Sequence, residues 1–188
     1  MKKLVCVALV MILGIIASAF AIAEEAQDDT TTKLVVYFSC TGTTKAVAEC
    51  IAEVTGAALF EIVPKIPYTD ADLNYHDNNS RANQEMDDPE ARPAISITVE
   101  GMENYTTVYL GYPIWWGNAP RIISTFLESY DMSGKTVIPF CTSGSSGIGG
   151  SMDTIRSLCP DSTVLDGARL NGATSERIAQ WLGELAQE

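Results

Sequence analysis

A chain of 188 residues, 46% of them hydrophobic, can bury one sizeable core and is short for two. Its formal charge of −12 argues against a nucleic-acid binder, because a phosphate backbone is held by neutralising it with Lys and Arg. The same acidity suits a basic partner protein, and it also simply keeps a protein dispersed.

The chain opens with Lys2 and Lys3, an apolar run over residues 4–19, and small residues at Ala19, Ala21 and Ala23. A charged start, a short apolar stretch and an Ala-x-Ala site before Glu24 and Glu25 are the parts of an export signal, whereas a bilayer-spanning helix wants roughly 20 apolar residues. The expectation is a signal peptide over 1–23 cut after Ala23, a linker over 24–32 and one folded domain over 33–188. The product would be periplasmic or extracellular, touching a membrane only through an uncleaved signal. Cys40, Cys50, Cys141 and Cys159 lie beyond the cut. With no C-x-x-C pair, and with His76 the only histidine, a Cys/His metal site is not expected.

From residue 30 onward, β-rich apolar runs alternate with stretches of helical period, the pattern of a doubly wound parallel sheet with helices on both faces. The first strand, 33–38, is almost continuously apolar, as burial on both faces requires. A helix follows over 45–54, stopped by Gly56, and then a short strand over 58–63. Residues 64–100 are polar, rich in Asp and Asn, and punctuated by prolines. This stretch reads as an excursion that either contacts a ligand or covers the sheet edge, with a short helix over 80–86 capped by Asn78, Asn79 or Ser80. Alternation returns with a strand at 106–111, a helix at 119–129, a strand at 135–141 and a helix at 148–158. A weak strand at 163–165 and a helix at 175–186, capped by Thr174 or Ser175, close the chain. The count is five strands.

In an open parallel sheet, ligands bind beyond the carboxyl ends of the strands. After the first strand come Ser39, Cys40, Thr41, Gly42, Thr43 and Thr44, four hydroxyls and a glycine leading into a helix whose first amides have no internal partner. One hydroxyl would serve an ordinary cap, so four around a glycine point to a phosphate. After the third strand, Pro113, Ile114, Trp115, Trp116 and Gly117 carry two of the three tryptophans, flat surfaces suited to stacking on an aromatic ring. Trp181, on the last helix, reads as packing. After the fourth strand, Thr142, Ser143, Gly144 and Gly147 offer amides and hydroxyls to the polar edge of a heterocycle.

Phosphate at one end, an aromatic wall and a heterocycle-edge loop together describe flavin mononucleotide (FMN). Here the sequence resembles the flavodoxin family over residues 33–188: Ser39-x-Thr41-Gly42-x-Thr44 is similar to its T/S-x-T-G-x-T phosphate signature, and the order of the three loops is the same. The run from Gly111 to Gly117 looks like a branch of flavodoxin-like bacterial flavoproteins. The resemblance implies a three-layer, five-stranded parallel sheet of order 2-1-3-4-5, noncovalent FMN, and electrons carried one or two at a time between redox partner proteins. Thr43 stands where the family commonly has Asn, and the export signal departs from the family's usual cytoplasmic setting. The alternative is an FMN-dependent NAD(P)H:quinone-type oxidoreductase, for which Tyr68, Tyr75 and Arg81 of the excursion are candidate substrate contacts. In the implied strand order, Cys40 and Cys141 stand two strand spacings of roughly 4.8 Å apart, beyond the ~7 Å reach of a disulfide, so free thiols are expected.

Overall fold

The computed structural model describes residues 32–187; the expected signal peptide and nearly all of the expected linker lie outside them. Thr32, assigned to the linker, is already part of the domain, since its carbonyl accepts a 3.0 Å hydrogen bond from the Thr106 amide.

Strands β1 (Lys33–Tyr37), β2 (Ala58–Glu61), β3 (Thr107–Pro113), β4 (Thr136–Thr142), β5 (Thr163–Val164) and β6 (Ala168–Arg169) form one parallel sheet. Its order is β2-β1-β3-β4-β5, with β6 also on β4. Helices α1 (Thr43–Thr55), α2 (Arg81–Asp87), α3 (Arg121–Glu128), α4 (Gly149–Leu158) and α5 (Ser175–Leu185) flank it. Among the described residues, no helix is long and apolar enough to cross a membrane.

Side chains alternate across each strand, so the central strands feed two cores. Leu34, Val36, Phe38, Val108, Leu110 and Tyr112 pack under Ile122, Ile123 and Phe126 of α3 and Ile155 of α4. Val35, Tyr37, Tyr109, Ile138 and Phe140 face Val47, Ala48 and Ile51 of α1 and Ile178 and Trp181 of α5. Both faces being covered explains the unbroken apolar runs, and Trp181, 4% exposed, is the packing residue its helical position suggested. Thr174 caps α5 by accepting from the Arg177 amide, and Ser80 caps α2 by accepting from the Asn83 amide.

Beyond shifts of one or two residues at several element ends, two departures from expectation shape the site. β3 runs on to Pro113, because Tyr112 points into the core, fully buried, with its hydroxyl 2.9 Å from that of Ser151. The expected fifth strand is two pieces. Val137 pairs with Val164 while Phe140 pairs with Ala168, so four steps on one strand oppose three on the other, and the extra residue forms a β-bulge of a kind rare in parallel sheets. Gly167 permits it: a Cβ there would stand 2.6 Å from the Pro139 carbonyl oxygen. A one-residue shift turns the following side chains to the other face, so Val164 packs with the α3/α4 core but Ala168 and Leu170 with the α1/α5 core.

Gly111 lies under the Phe140 ring, and a Cβ built on it would stand 2.2 Å from that ring. Gly111→Ala must therefore displace a fully buried aromatic, and we expect a loss of about 1–3 kcal/mol. Denaturant unfolding checks this: a lower midpoint at unchanged slope is the expected result, and an unchanged midpoint contradicts it.

Candidate functional site

The sheet ladder at β1 ends where the Phe38 amide donates to the Gly111 carbonyl at 2.9 Å, and the chain then turns away. Gly42 makes that turn at φ +83°, a left-handed conformation that costs a residue with a Cβ, and its amide donates to Ser39 Oγ at 3.1 Å. Gly42 is also the residue preceding α1, and no side chain caps that helix. The first-turn amides of Thr43, Thr44 and Lys45 thus keep their donors for a group outside the helix, at its positive end. Thr41 and Thr43 hold their hydroxyls 3.4 Å apart in solvent, whereas Thr44 is buried and sits 2.8 Å from the Thr142 hydroxyl. That buried pair ties the first loop to the end of β4.

Beyond β3, Trp115 and Asn118 exchange two backbone hydrogen bonds of 2.9 Å across a two-residue turn. Trp116 (φ 49°) and Gly117 (φ 79°) are its central residues, and both being left-handed makes it a type I′ turn. Trp116 is the one non-glycine residue at positive φ among the described residues, a conformation that costs on the order of 1 kcal/mol or more for a bulky side chain. The turn separates two adjacent tryptophans. Trp115 goes inward, edge-on to Phe38 at 5.7 Å and to Tyr68 at 5.4 Å, while Trp116 is left 53% exposed. α4 presses on this turn: a Cβ on Gly150 would stand 2.3 Å from the Gly117 carbonyl oxygen.

In the third loop, the Ser143 amide donates to Asn171 Oδ1 at 2.9 Å and the Ser143 hydroxyl donates to the Ser146 carbonyl. The excursion supplies a further wall and is pinned in several places. Arg81 stacks 4.0 Å over the Tyr68 ring and donates to Glu85, which also accepts from the Tyr68 hydroxyl. Burial, reinforced by that carboxylate, holds the Tyr68 phenol far above its ordinary pKa. Arg121 donates to the Glu85 and Met86 carbonyls near the end of α2, and Arg92 grips Glu128 of α3 with two bonds of 2.7 and 2.8 Å.

The loops and the excursion enclose one cavity of about 400 Å³. Of the residues singled out from sequence, Ser39, Cys40, Thr41, Thr43, Thr44, Pro113, Ile114, Trp115, Trp116, Thr142, Ser143 and Gly144 line it. Gly42, Gly117 and Gly147 do not: the first two turn the backbone behind the wall, and Gly147 lies further along its loop. Tyr75 lines the cavity, but Tyr68 and Arg81 do not, being spent on each other and on Glu85. Sequence reasoning missed Leu73, Ala82 and Asn171. Among the described residues, no charged side chain lines the wall. A helix N-terminus with free hydroxyls suits a phosphate, and the tryptophan and the amides beyond it suit a flat heterocycle with polar edges, so the donors present fit a flavin nucleotide. Cys40, Cys50, Cys141 and Cys159 all carry free thiols. Although Cys40 reaches solvent, desolvation by its surroundings raises its pKa to about 12, so it is not a thiolate at neutral pH.

A sequence profile for the family described as flavodoxin matches residues 32–185. A candidate flavoprotein from Bacteroides eggerthii DSM 20697 is 45% identical with a TM-score of 0.80, over 82% of this chain and 98% of its own. A second, from Bacteroides uniformis ATCC 8492, is 46% identical with a TM-score of 0.78, over 81% and 97%. A flavoprotein from Lactobacillus acidophilus NCFM, solved in complex with FMN, shares the fold at 22% identity and a TM-score of 0.63, over 80% and 98%. No curated protein matches the chain.

With its pKa near 12, the Cys40 thiol should alkylate slowly at pH 8, and the rate should climb about tenfold per pH unit up to pH 11. Peptide-mapped iodoacetamide kinetics on the native protein measure this. A plateau by pH 9 would place the thiol at an ordinary pKa and contradict the assignment.

Proposed function

The chain belongs to the flavodoxin family, and from that premise we propose that it binds FMN noncovalently and passes electrons between redox partner proteins. One observation carries the reading: the loops after β1, β3 and β4 line a single cavity of about 400 Å³ with, among the described residues, no charged side chain on its wall. The first-turn amides of α1, with Ser39, Thr41 and Thr43, hold the phosphate. Trp116, exposed on the cavity wall, would stack against the ring and shield it from water. Thr142, Ser143 and Gly144 would border the ring's polar edge, with the Gly144 amide as the donor, since Ser143 gives its amide to Asn171 and its hydroxyl to Ser146 and the Thr142 hydroxyl pairs with Thr44. When bound, FMN supplies one- and two-electron chemistry at a single ring. The same fold carries FMN in the Lactobacillus acidophilus flavoprotein, which supports the assignment.

The partner is a protein with a basic face, on the strength of the chain's charge of −12. We place the mature protein outside the cytoplasm, cut after Ala23, and the intact mass of the exported protein, beginning at Glu24, checks this. A second reading, FMN-dependent NAD(P)H:quinone-type turnover, is favoured by Tyr75, 61% exposed with its ring 6.1 Å from that of Trp116 at the cavity wall, where a flat acceptor can stack.

Flavin titration by fluorescence quenching tests the binding. The double variant Thr41→Ala/Thr43→Ala should lose about a hundredfold or more in FMN affinity through two hydrogen bonds to a charged group, while riboflavin, which lacks the phosphate, keeps its affinity. Protein that binds no added FMN would leave a flavin-free interaction module in its place.

The acidic surroundings disfavour the extra negative charge of the fully reduced flavin, so the potential of its last reduction step should lie below that of free FMN. A spectroelectrochemical titration finding it at or above that value contradicts the carrier reading. Rapid NADH or NADPH oxidation with a quinone and no partner reductase would move the assignment to the second reading.

A further inference from the structure

Resting on the FMN reading, we infer that Asn171 is a specificity residue on the cavity wall, whose amide NH2 donates a hydrogen bond to an acceptor oxygen of the heterocycle. The residue lies far from the three loops in sequence, and the fold delivers it to them. The bulge between β5 and β6 turns Leu170 into the α1/α5 core, where it is 2% exposed and its amide donates to the Cys141 carbonyl at 2.9 Å. A tight turn follows at once, with Gly172 at φ +60° and the Ala173 amide donating back to the Leu170 carbonyl at 3.1 Å. Asn171 is therefore held at the carboxyl end of β4, on the cavity wall beside Thr142 and Ser143. Without the extra residue in the bulge, the side chains after it would stand on the opposite faces.

The orientation of its amide is set by chemistry. The Ser143 backbone N–H can only donate, so the atom 2.9 Å from it must be the side-chain oxygen. The planar amide then presents its NH2 group away from Ser143, and that group has no partner among the described residues. Asn171 thus does two things at once: its oxygen positions the third loop, and its nitrogen offers a neutral donor on the cavity wall. A donor there favours ligands with a carbonyl on that edge and penalises those without one, because the amide would be desolvated unpaired.

Asn171→Asp separates the two roles. A carboxylate still accepts from the Ser143 amide but has no proton to donate at pH 7. We expect Asn171→Asp to bind both FMN and riboflavin at least about fivefold more weakly than the unaltered protein, by about equal factors, while the Ser143 amide in the flavin-free protein stays protected from hydrogen exchange. Asn171→Ala should lose both the affinity and the protection. Affinity within twofold of the unaltered protein in Asn171→Asp overturns the donor role, as does a loss accompanied by an unprotected Ser143 amide, which assigns the effect to the loop. A loss confined to FMN assigns it to charge repulsion of the phosphate and overturns it equally. Should the unaltered protein bind neither flavin, the FMN reading itself falls, a result distinct from all of these.

Discussion

β1 lies between β2 and β3, and the chain leaves these neighbouring strand ends in opposite directions. After β1 it turns to α1 on one face; after β3 it turns to α3 on the other. Two connections that diverge from adjacent strands leave a crevice between them at the carboxyl edge of the sheet. Its floor is closed by the Thr44–Thr142 hydroxyl pair, and its ends are set by loops of opposite character, one polar and tight, the other aromatic. Because both faces of the sheet are covered by helices, this edge is where ligand meets the central strands. The site is a consequence of strand order before it is a consequence of any one side chain.

The excursion between β2 and β3 serves both purposes that its length and composition left open. Its two legs bridge at Pro64 and Ile95, and Ile95, Val99 and Tyr68 pack on the α3/α4 core, closing the β2 side of the sheet. Its middle supplies Leu73, Tyr75 and Ala82 to the cavity. Arginines make the compromise workable. Arg81 and Arg92 each meet a carboxylate, and Arg121 satisfies carbonyls at the end of α2, so a polar segment with little core of its own is fastened to α3 and to itself. The ion pairs are partly exposed and individually modest, yet the Arg121 bonds satisfy backbone groups that a short helix would otherwise leave unpaired.

The two-sided core and the three loops were legible because each rests on local pattern, apolar runs of strand length, hydroxyls before a helix and tryptophans after a strand, whereas the sheet order came through the family resemblance that those loops carry. What was not legible depended on pairing. Leu73 and Ala82 are ordinary apolar residues in a polar stretch, and nothing local says which of them meets a ligand. The bulge that splits the last strand shows only against its partner, since Gly167 alone is an unremarkable loop glycine until Pro139 lies across from it. Asn171 was hidden by the same cause. Tyr112 misled in the opposite direction: in a run of turn-like residues it read as loop, and the hydroxyl of Ser151, 39 residues away in sequence on α4, is what lets a tyrosine be wholly buried there. Tyr68 and Arg81 had the right chemistry for a substrate and the wrong neighbours, since Glu85 occupies both.

The neutrality of the cavity wall bears on how so acidic a chain can hold an anion. A lysine in the first loop would add attraction, but Lys45, the lysine next to that loop in sequence, has the Glu49 carboxylate at 4.0 Å. Backbone amides and threonine hydroxyls are not drawn away by a carboxylate one turn along the helix, and they do not titrate in the physiological range. Their attraction is also short-ranged and directional, so it acts on a phosphate already seated while the surrounding negative charge repels free anions from the rest of the surface. The residue series from Ser39 to Thr44 is thus better suited to an acidic protein than a cationic loop would be, and the left-handed Gly42 that aims those amides is the element on which this solution depends.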